Sequence, residues 1–551
     1  MIKENFIKLF EDGFKYNWDL PAMVNYGEAK TLNYSDVSKE IAKLHIIFEG
    51  AGIKEGDKVA LIGKNTYNWA IAYLATVTYG AVIVPILQDF IPNDVHHIIN
   101  HSESVLLFSS DQIWESLDEE KMNDLRAAVS LTDFRLLYQR EGEDVVQVIN
   151  EVATKFNEKY PDGFTKEDIS YADVPNEKVV VLNYTSGTTG FSKGVMIKGN
   201  NLAGNLTFVK RQNILKRGEV VLSFLPLAHT YGCAFEFLFA ISEGCKVVFL
   251  GKTPSPKILM KAFEEIRPNI VITVPLILEK IYKKMILPLL GKRTMRFALN
   301  IPILDSQIYA QIRKKLMDAM GGNFEQVIIG GAPLNKEVEE FLYKIKFPFT
   351  VGYGMTECAP LISFDNHTDF VPTSCGKILD IMEVRIDSED PYNMAGEIQI
   401  RGENVMLGYY KNEEATKNAF TDDGWLKTGD LGTIDKNNRI FIRGRSKNMI
   451  LGASGQNIYP EEIESKLNNL PFVTESLIVE RDRKLVALVY PDYDALDETG
   501  IEQEKLSYLM GENKRMLNEM LAPYERITEI QLYPTEFDKT PKKSIKRYLY
   551  Q

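Results

Sequence analysis

Twelve consecutive residues, Tyr184-Thr185-Ser186-Gly187-Thr188-Thr189-Gly190-Phe191-Ser192-Lys193-Gly194-Val195, combine three glycines, three threonines, two serines and one lysine. Glycine lets a backbone come close to a ligand and take positive φ. The hydroxyls supply donors, and Lys193 adds one mobile positive charge. Together these suit a cradle for a polyphosphate. The stretch is not a Walker loop, which needs Gly-x-x-x-x-Gly-Lys-Ser/Thr, because Gly187 and Gly190 are three apart and Lys193 is followed by Gly194. A flexible linker is the competing reading. It accounts neither for the single lysine nor for the apolar run Val179-Val180-Val181-Leu182 immediately before it.

Other stretches carry chemistry of the same kind. In Gly352-Tyr353-Gly354-Met355-Thr356-Glu357 two glycines flank an aromatic, and a hydroxyl and a carboxylate follow. Glu357 beside a phosphate site would hold Mg²⁺, which takes one or two carboxylates plus substrate phosphates; the alternative is a surface turn with an incidental acid. Asp430, in Thr428-Gly429-Asp430-Leu431-Gly432, could accept from ribose hydroxyls as acids do in nucleotide sites. Gly330-Gly331-Ala332-Pro333 exposes backbone on which a flat ring could stack. His229 and Tyr231 lie between two apolar segments, and the following Phe235, Phe237, Leu238 and Phe239 read as core or as the lining of an apolar pocket.

The elements that must position these groups alternate. Val37, Ile41, Leu44 and Phe48 give an amphipathic helix over residues 35 to 50, stopped by Gly50 and Gly52. Asp57 to Ile62, Val82 to Ile86 and Val105 to Phe108 read as strands, with a helix around Trp69 to Thr78. Val179 to Leu182 reads as a buried strand, so the Gly-rich loop leaves its carboxyl end, where α/β sheets bind ligands. Further strands are expected at Ile270 to Val274 and Gln326 to Ile329. The pattern predicts an α/β fold with a mostly parallel sheet. Residues 110 to 177 read as surface helices and loops.

With 551 residues, 45% hydrophobic and 25% charged, the chain has ample core for more than one unit. A net charge of -12 argues against nucleic acid, which needs clustered Lys and Arg. Cys233, Cys245, Cys358 and Cys375 show no metal or redox spacing. His96, His97 and His101 read as an ordinary helix surface. The polar amino terminus and the lack of a long apolar run make the expected location cytoplasmic. A boundary is expected near Gly444, dividing a unit of residues 1–443 from a smaller α+β unit of 444–551. In the latter a helix starts at Pro460, strands Ser476 to Glu480 and Leu485 to Tyr490 flank a charged turn, and a basic tail carries Lys539, Lys542, Lys543, Lys546 and Arg547.

Taken together, Tyr184 to Val195, Gly352 to Glu357, Thr428 to Gly432 and Gly444 to Glu464 resemble the ordered core motifs of the adenylate-forming superfamily, the AMP-binding acyl-CoA synthetases, over nearly the whole chain. Leu225-Pro226-Leu227-Ala228-His229-Thr230-Tyr231 and Gly455 to Glu464 are similar to the fatty-acyl-CoA ligase branch. The resemblance implies a large amino-terminal domain of α/β subdomains plus a small β-barrel, and a mobile carboxy-terminal domain. It implies ATP, Mg²⁺ and coenzyme A, and an acyl-AMP intermediate formed from a fatty acid. The Thr185 to Lys193 loop would hold the β- and γ-phosphates, Thr356 the α-phosphate and Glu357 the Mg²⁺. Asp430 and Arg445 would fix the ribose, Gly330 to Pro333 and Tyr353 would bracket adenine and acyl group, and His229 would stand at the acyl pocket. Lys447 falls at the hinge. The family's terminal motif resembles Thr-Pro-x-x-Lys-Ile, whereas this chain reads Thr540-Pro541-Lys542-Lys543-Ser544-Ile545. Ser544 therefore occupies the lysine's place; either Lys543, the preferred candidate, or Lys542 substitutes through a shifted backbone, or adenylation runs without that charge and is slower.

Four rivals remain open on sequence alone: an acyl-AMP ligase loading a carrier protein, an enzyme for aryl acids, a P-loop-type ATPase or kinase releasing ADP, and a non-catalytic nucleotide-binding protein. The basic tail would meet coenzyme A phosphates, a carrier protein or anionic lipid, or lie solvated. Weak peripheral membrane contact would suit a lipid substrate, and no amphipathic anchor is evident.

Overall fold

The strand Val179–Thr185, buried through its central five residues, lies inside an eight-stranded sheet in the computed structural model. The structure describes residues 2–185, 193–290, 298–299, 301, 304–451, 456–499, 505–540 and 544–550. Across the sheet the order is Gly408–Tyr409, Lys193–Lys198, Val179–Thr185, Val82–Ile86, Lys58–Ile62, Ser104–Ser109, Ala127–Ser130, Leu136–Gln139. The five strands from Val179–Thr185 to Ala127–Ser130 run parallel, and the outer ones pair antiparallel. Burial on both faces explains why these strands read as unbroken apolar runs. Ala127–Ser130 is fully buried, which corrects the expectation of surface helices and loops for residues 110 to 177. Four small residues are too short a run to show a period.

Helix boundaries follow their caps. Tyr34–Gly50 starts where Asp36 accepts from the Asn33 backbone N–H. Tyr67–Tyr79 starts where the Thr66 hydroxyl accepts from Trp69 N–H at 3.2 Å, and stops at Gly80 in the left-handed region. Trp69 to Thr78 are all buried, as a helix apolar on every side requires.

A second, three-stranded parallel sheet of Val271–Thr273, Val327–Ile329 and Phe349–Val351 delivers Gly330 and Gly352 from neighbouring strand ends. Gly330 N–H donates to Thr273 O at 3.1 Å and Gly352 N–H to Ile329 O at 2.9 Å. The expected small barrel region consists of an antiparallel sheet of Met382–Asp387, Gly396–Gly402, Leu426–Ile434 and Ile440–Arg445. A bridge from Lys377 to Arg439 joins it to the strands around Tyr353 and Leu361.

One hydrophobic core runs from Phe6 to Ile440; beyond it lie a small cluster of Leu477, Val479, Val486, Leu488, Phe537 and Tyr550 and a separate core from Ile458 to Ile527. The latter is built on the hairpin Val473–Arg481 and Lys484–Pro491, whose two-residue turn puts Asp482 and Arg483 at positive φ. Strand Glu529–Leu532 joins this hairpin in parallel. Polar groups link the two cores: Asn335 and Asn469 exchange amide hydrogen bonds of 2.9 and 3.0 Å, and Lys283 Nζ donates to Asn468 O at 2.8 Å. Among the described residues no helix is long and apolar enough to cross a membrane.

Candidate active site

Lys193 opens the strand Lys193–Lys198 beside the carboxyl end of Val179–Thr185, its Cα partnered with that of Thr185. Its ammonium lies 4.9 Å from the centroid of the Tyr409 ring. The Tyr409 hydroxyl donates to Glu357 Oε1 at 2.9 Å. Burial and the Glu357 carboxylate both push the Tyr409 hydroxyl's titration upward, so it keeps its proton. All three side chains line a cavity of about 1460 Å³.

Glu357 is carried by a short 3₁₀ turn, Thr356–Cys358. Thr356 is buried and faces the cavity. A Cβ on Gly354 would collide with the Pro360 carbonyl oxygen, so the tight crossing that presents Thr356 and Glu357 needs glycine there. Tyr353 is buried, and its hydroxyl donates to Asp430 Oδ2 at 2.6 Å. Arg445 Nε approaches Asp430 Oδ1 to 2.8 Å. Burial pushes the Asp430 carboxyl up, against the pull of Arg445 and Tyr353 in the other direction.

Gly330 packs against Tyr231: a Cβ there would come within 3.0 Å of the ring. The Tyr231 hydroxyl donates to the carbonyls of Thr273 and Ile328 at 3.3 and 3.2 Å, so this tyrosine ties two strand ends together while lining the cavity. His229 caps the following turn, its Nδ1 accepting from Tyr231 N–H at 3.3 Å, and also faces the cavity. The same cavity has apolar lining too, with Val209, Ile214, Phe235, Phe239, Ile270 and Ile272. Phe235 and Phe239 are thus lining, whereas Phe237 and Leu238 are fully buried core.

The predicted residues Thr185, Lys193, His229, Gly330, Gly331, Tyr353, Thr356, Glu357, Arg445 and Lys447 share this one cavity. Asp430 sits behind Tyr353 and Arg445, and Ala332 and Pro333 continue on the exposed side of their turn. Ser186, Gly187, Thr188, Thr189 and Gly190 lie outside the described residues, as do Lys542 and Lys543. From the carboxy-terminal unit, Ser544 and Lys546 reach the cavity wall. Other charges of the basic tail are neutralised internally: Lys539 meets Glu475 at 2.6 Å, and Arg547 binds Glu464.

Two functional candidates escaped the sequence reading. Tyr409 lies in Gly408-Tyr409-Tyr410, which carries no motif signal by itself. Glu236, skipped among its aromatic neighbours, is fully buried, and its Oε2 accepts from Ser223 Oγ, Phe224 N–H and Leu225 N–H at 3.0–3.1 Å. It thereby anchors the segment leading to His229; burial raises its titration far above the usual carboxylate range. The histidine cluster also differs from an ordinary helix surface. His96 is buried and accepts from Asp118 N–H at 3.0 Å, and His101 bonds the Tyr184 hydroxyl at 2.7 Å.

The donor set suits a magnesium ion that brings its own phosphate ligands. Among the described residues no group of three His, Cys, Asp or Glu could hold a metal by itself. Glu357 supplies one carboxylate, and Mg²⁺ characteristically takes one or two with phosphates and waters completing its octahedron.

The parallel α/β framework thus brings a lysine and a carboxylate to one cavity, with the Asp430–Arg445 pair at its edge. The chain belongs to the AMP-binding enzyme family, whose model matches residues 10–410. It is 27% identical over 516 residues to the long-chain-fatty-acid–CoA ligase FadD15 of Mycobacterium bovis, covering 88% of this chain and 82% of that protein. It is 30% identical over 553 residues to the peroxisomal long chain acyl-CoA synthetase 6 of Arabidopsis thaliana, covering 93% and 76%. Among solved structures, ATP-bound MatB from Rhodopseudomonas palustris matches with a TM-score of 0.76 at 22% identity, covering 99% of this chain and 98% of that one. The anthranilate CoA ligase AuaEII in complex with anthranoyl-AMP matches at 0.78 and 20%, covering 100% and 97%. These two likenesses are of fold.

Proposed function

We propose that this protein is an AMP-forming fatty-acid–CoA ligase. The observation that carries the reading is the mixed lining of one cavity. It is lined by Lys193, Thr356 and Glu357 and also by aliphatic and aromatic side chains such as Val209, Ile214, Phe235 and Phe239. Such a lining suits both a nucleoside triphosphate and an acid with a hydrocarbon tail, and relatives named as long-chain-fatty-acid–CoA ligases support the choice of acid.

In the first half-reaction a carboxylate oxygen attacks the α-phosphorus of ATP and the bond to the β-phosphate oxygen breaks, giving acyl-AMP and pyrophosphate. Both partners are anionic, so the chain's contribution is positioning and charge neutralisation. Lys193 and the loop before it would bind the departing phosphates, and Thr356 the α-phosphate. The Asp430–Arg445 pair would hold the ribose, and Glu357 would ligate Mg²⁺, which supplies further charge neutralisation when bound. In the second half-reaction the thiol of coenzyme A attacks the acyl carbonyl and AMP leaves. The carboxy-terminal unit would rotate about Lys447 between the two steps, moving Ser544 and Lys546, which now line the cavity, while Gly444 and Arg445 stay in their strand with Asp430.

The test supplies ATP, Mg²⁺ and acids from acetate to long-chain and aryl, with and without coenzyme A, and follows AMP, ADP and thioester. AMP and acyl-CoA rising together with a long-chain acid are expected. Pyrophosphate exchange with no acyl-CoA would move the acceptor to a carrier protein, and ADP would refute the reading.

A further inference from the structure

Building on the reading of Lys193 as a phosphate ligand and Glu357 as a magnesium ligand, we infer that Tyr409 is a positioning residue that keeps these opposite charges apart, each aimed into the cavity. The ring face receives the Lys193 ammonium at 4.9 Å from its centroid, and the hydroxyl of the same ring binds Glu357 Oε1 at 2.9 Å. The two charges share one residue instead of meeting each other.

The placement of Tyr409 is over-determined by its backbone. Its Cα pairs with that of Val195, two residues along the strand that Lys193 begins. Its N–H donates to Thr416 Oγ1 at 2.9 Å. Next to it, Gly408 has φ +146°, and a Cβ there would come within 2.8 Å of the Thr416 methyl carbon. On either side, Tyr410 N–H donates to Gly194 O and Met406 N–H to Glu357 O, both at 2.8 Å. The five residues Met406 to Tyr410 therefore touch the phosphate strand and the carboxylate turn by main chain as well as by side chain.

A lysine ammonium on a four-carbon stem is mobile, and a carboxylate across the same cavity attracts it more strongly as solvent is excluded. Left alone the two would close into an ion pair that an incoming nucleotide must open. An aromatic face attracts the ammonium more weakly than a carboxylate does, so Lys193 can pass from ring to phosphate. The hydroxyl meanwhile fixes one oxygen of Glu357.

The test is calorimetric titration of ATP, in magnesium and in EDTA, into wild type, Tyr409→Phe, Tyr409→Leu and Glu357→Gln, with thermal unfolding confirming that each is folded. Tyr409→Phe keeps the ring and loses the hydroxyl. It is expected to weaken binding in magnesium by about tenfold, the scale of a hydrogen bond to a charged group. Its binding in EDTA should stay within about twofold of wild type, since the ring contact persists. Tyr409→Leu loses the ring too and should bind more weakly under both conditions. Wild-type binding by Tyr409→Phe, or equal losses by Phe and Leu in both media, overturns the inference; if the Leu variant does not fold, the Phe variant decides alone. Should Glu357→Gln abolish the benefit of magnesium while Tyr409→Phe retains it, the inference fails and the magnesium reading stands. Should Glu357→Gln leave that benefit intact, the magnesium reading falls and takes the inference with it.

Discussion

Asp430 and Arg445 are directly opposed in an antiparallel ladder, and their side chains close to 2.8 Å between Nε and Oδ1. The two residues that the sequence suggests for the ribose are thus a single unit, with Tyr353 bonded to the other carboxylate oxygen at 2.6 Å. Removing Asp430 takes away the carboxylate that orients Arg445 and leaves the buried Tyr353 hydroxyl without its acceptor. Asp430→Ala is expected to raise the KM for ATP at least tenfold, with a smaller fall in kcat, in a steady-state assay varying ATP at saturating acid. An unchanged KM would detach this pair from the nucleotide.

Lys193→Ala and Glu357→Gln should each slow adenylation at least tenfold, on the scale of about 1.4 kcal/mol or more of lost charge stabilisation. Acid-dependent exchange of pyrophosphate into ATP isolates that step. Wild-type exchange in either variant would remove that residue's assigned role.

Lys447→Pro fixes a backbone dihedral at the proposed hinge. Single-turnover measurement should find acyl-AMP formed at near the wild-type rate and thioester formation reduced a hundredfold or more on the order expected when a conformational step is blocked. Equal loss in both steps would argue against rotation at this residue.

Glu236→Ala removes the acceptor of three donors, the Ser223 hydroxyl and the Phe224 and Leu225 amides. Unsatisfied buried donors cost about 1–3 kcal/mol each in unfavourable cases, so the urea midpoint should fall clearly. Glu236→Gln retains an acceptor and should fall less. Equal midpoints for both would show that the carboxyl oxygen does not anchor the segment before His229.

His45 packs among Phe48, Tyr79 and Tyr171, and its Nε2 bonds the Ala75 carbonyl at 3.0 Å. Burial pulls its titration down from 6.5 to about 4. Between those values the unfolded chain holds the extra proton, so stability drops as the pH is lowered through that window, by about 3 kcal/mol. Melting temperature measured from pH 7 to pH 4 should decline, and His45→Gln should flatten the decline. An equal slope in the variant would assign it to other groups.

The sequence announces elements whose signal is local. The run from Val179, the helix from Tyr34 to Gly50 and the turn at Asp482 are legible because burial, capping and turn chemistry act over a few residues. Lys193, Thr356, Glu357 and Asp430 are legible because each sits in a short polar stretch bounded by glycine. Tyr409 is not, since its meaning lies in contacts with residues 52 and 216 positions away. Glu236 hides for a different reason: a lone acid in an aromatic run has the appearance of a solvent-facing break, and only the fold turns it toward three donors. Ala127–Ser130 was hidden by being short. The terminal lysine question takes a new form as well, because Lys546, two residues beyond Ser544, is on the cavity wall.

The paired amides of Asn335 and Asn469 join the carboxy-terminal unit to the larger one, beside the Lys283 to Asn468 bond. Hydrogen bonds between neutral amides exchange for bonds to water with a small net change in free energy. A seam made of such groups specifies an orientation through geometry yet asks little for its release. Leucines in their place would add apolar burial that must be undone on release; two asparagines set the register at little cost, which is what the rotation proposed about Lys447 would need.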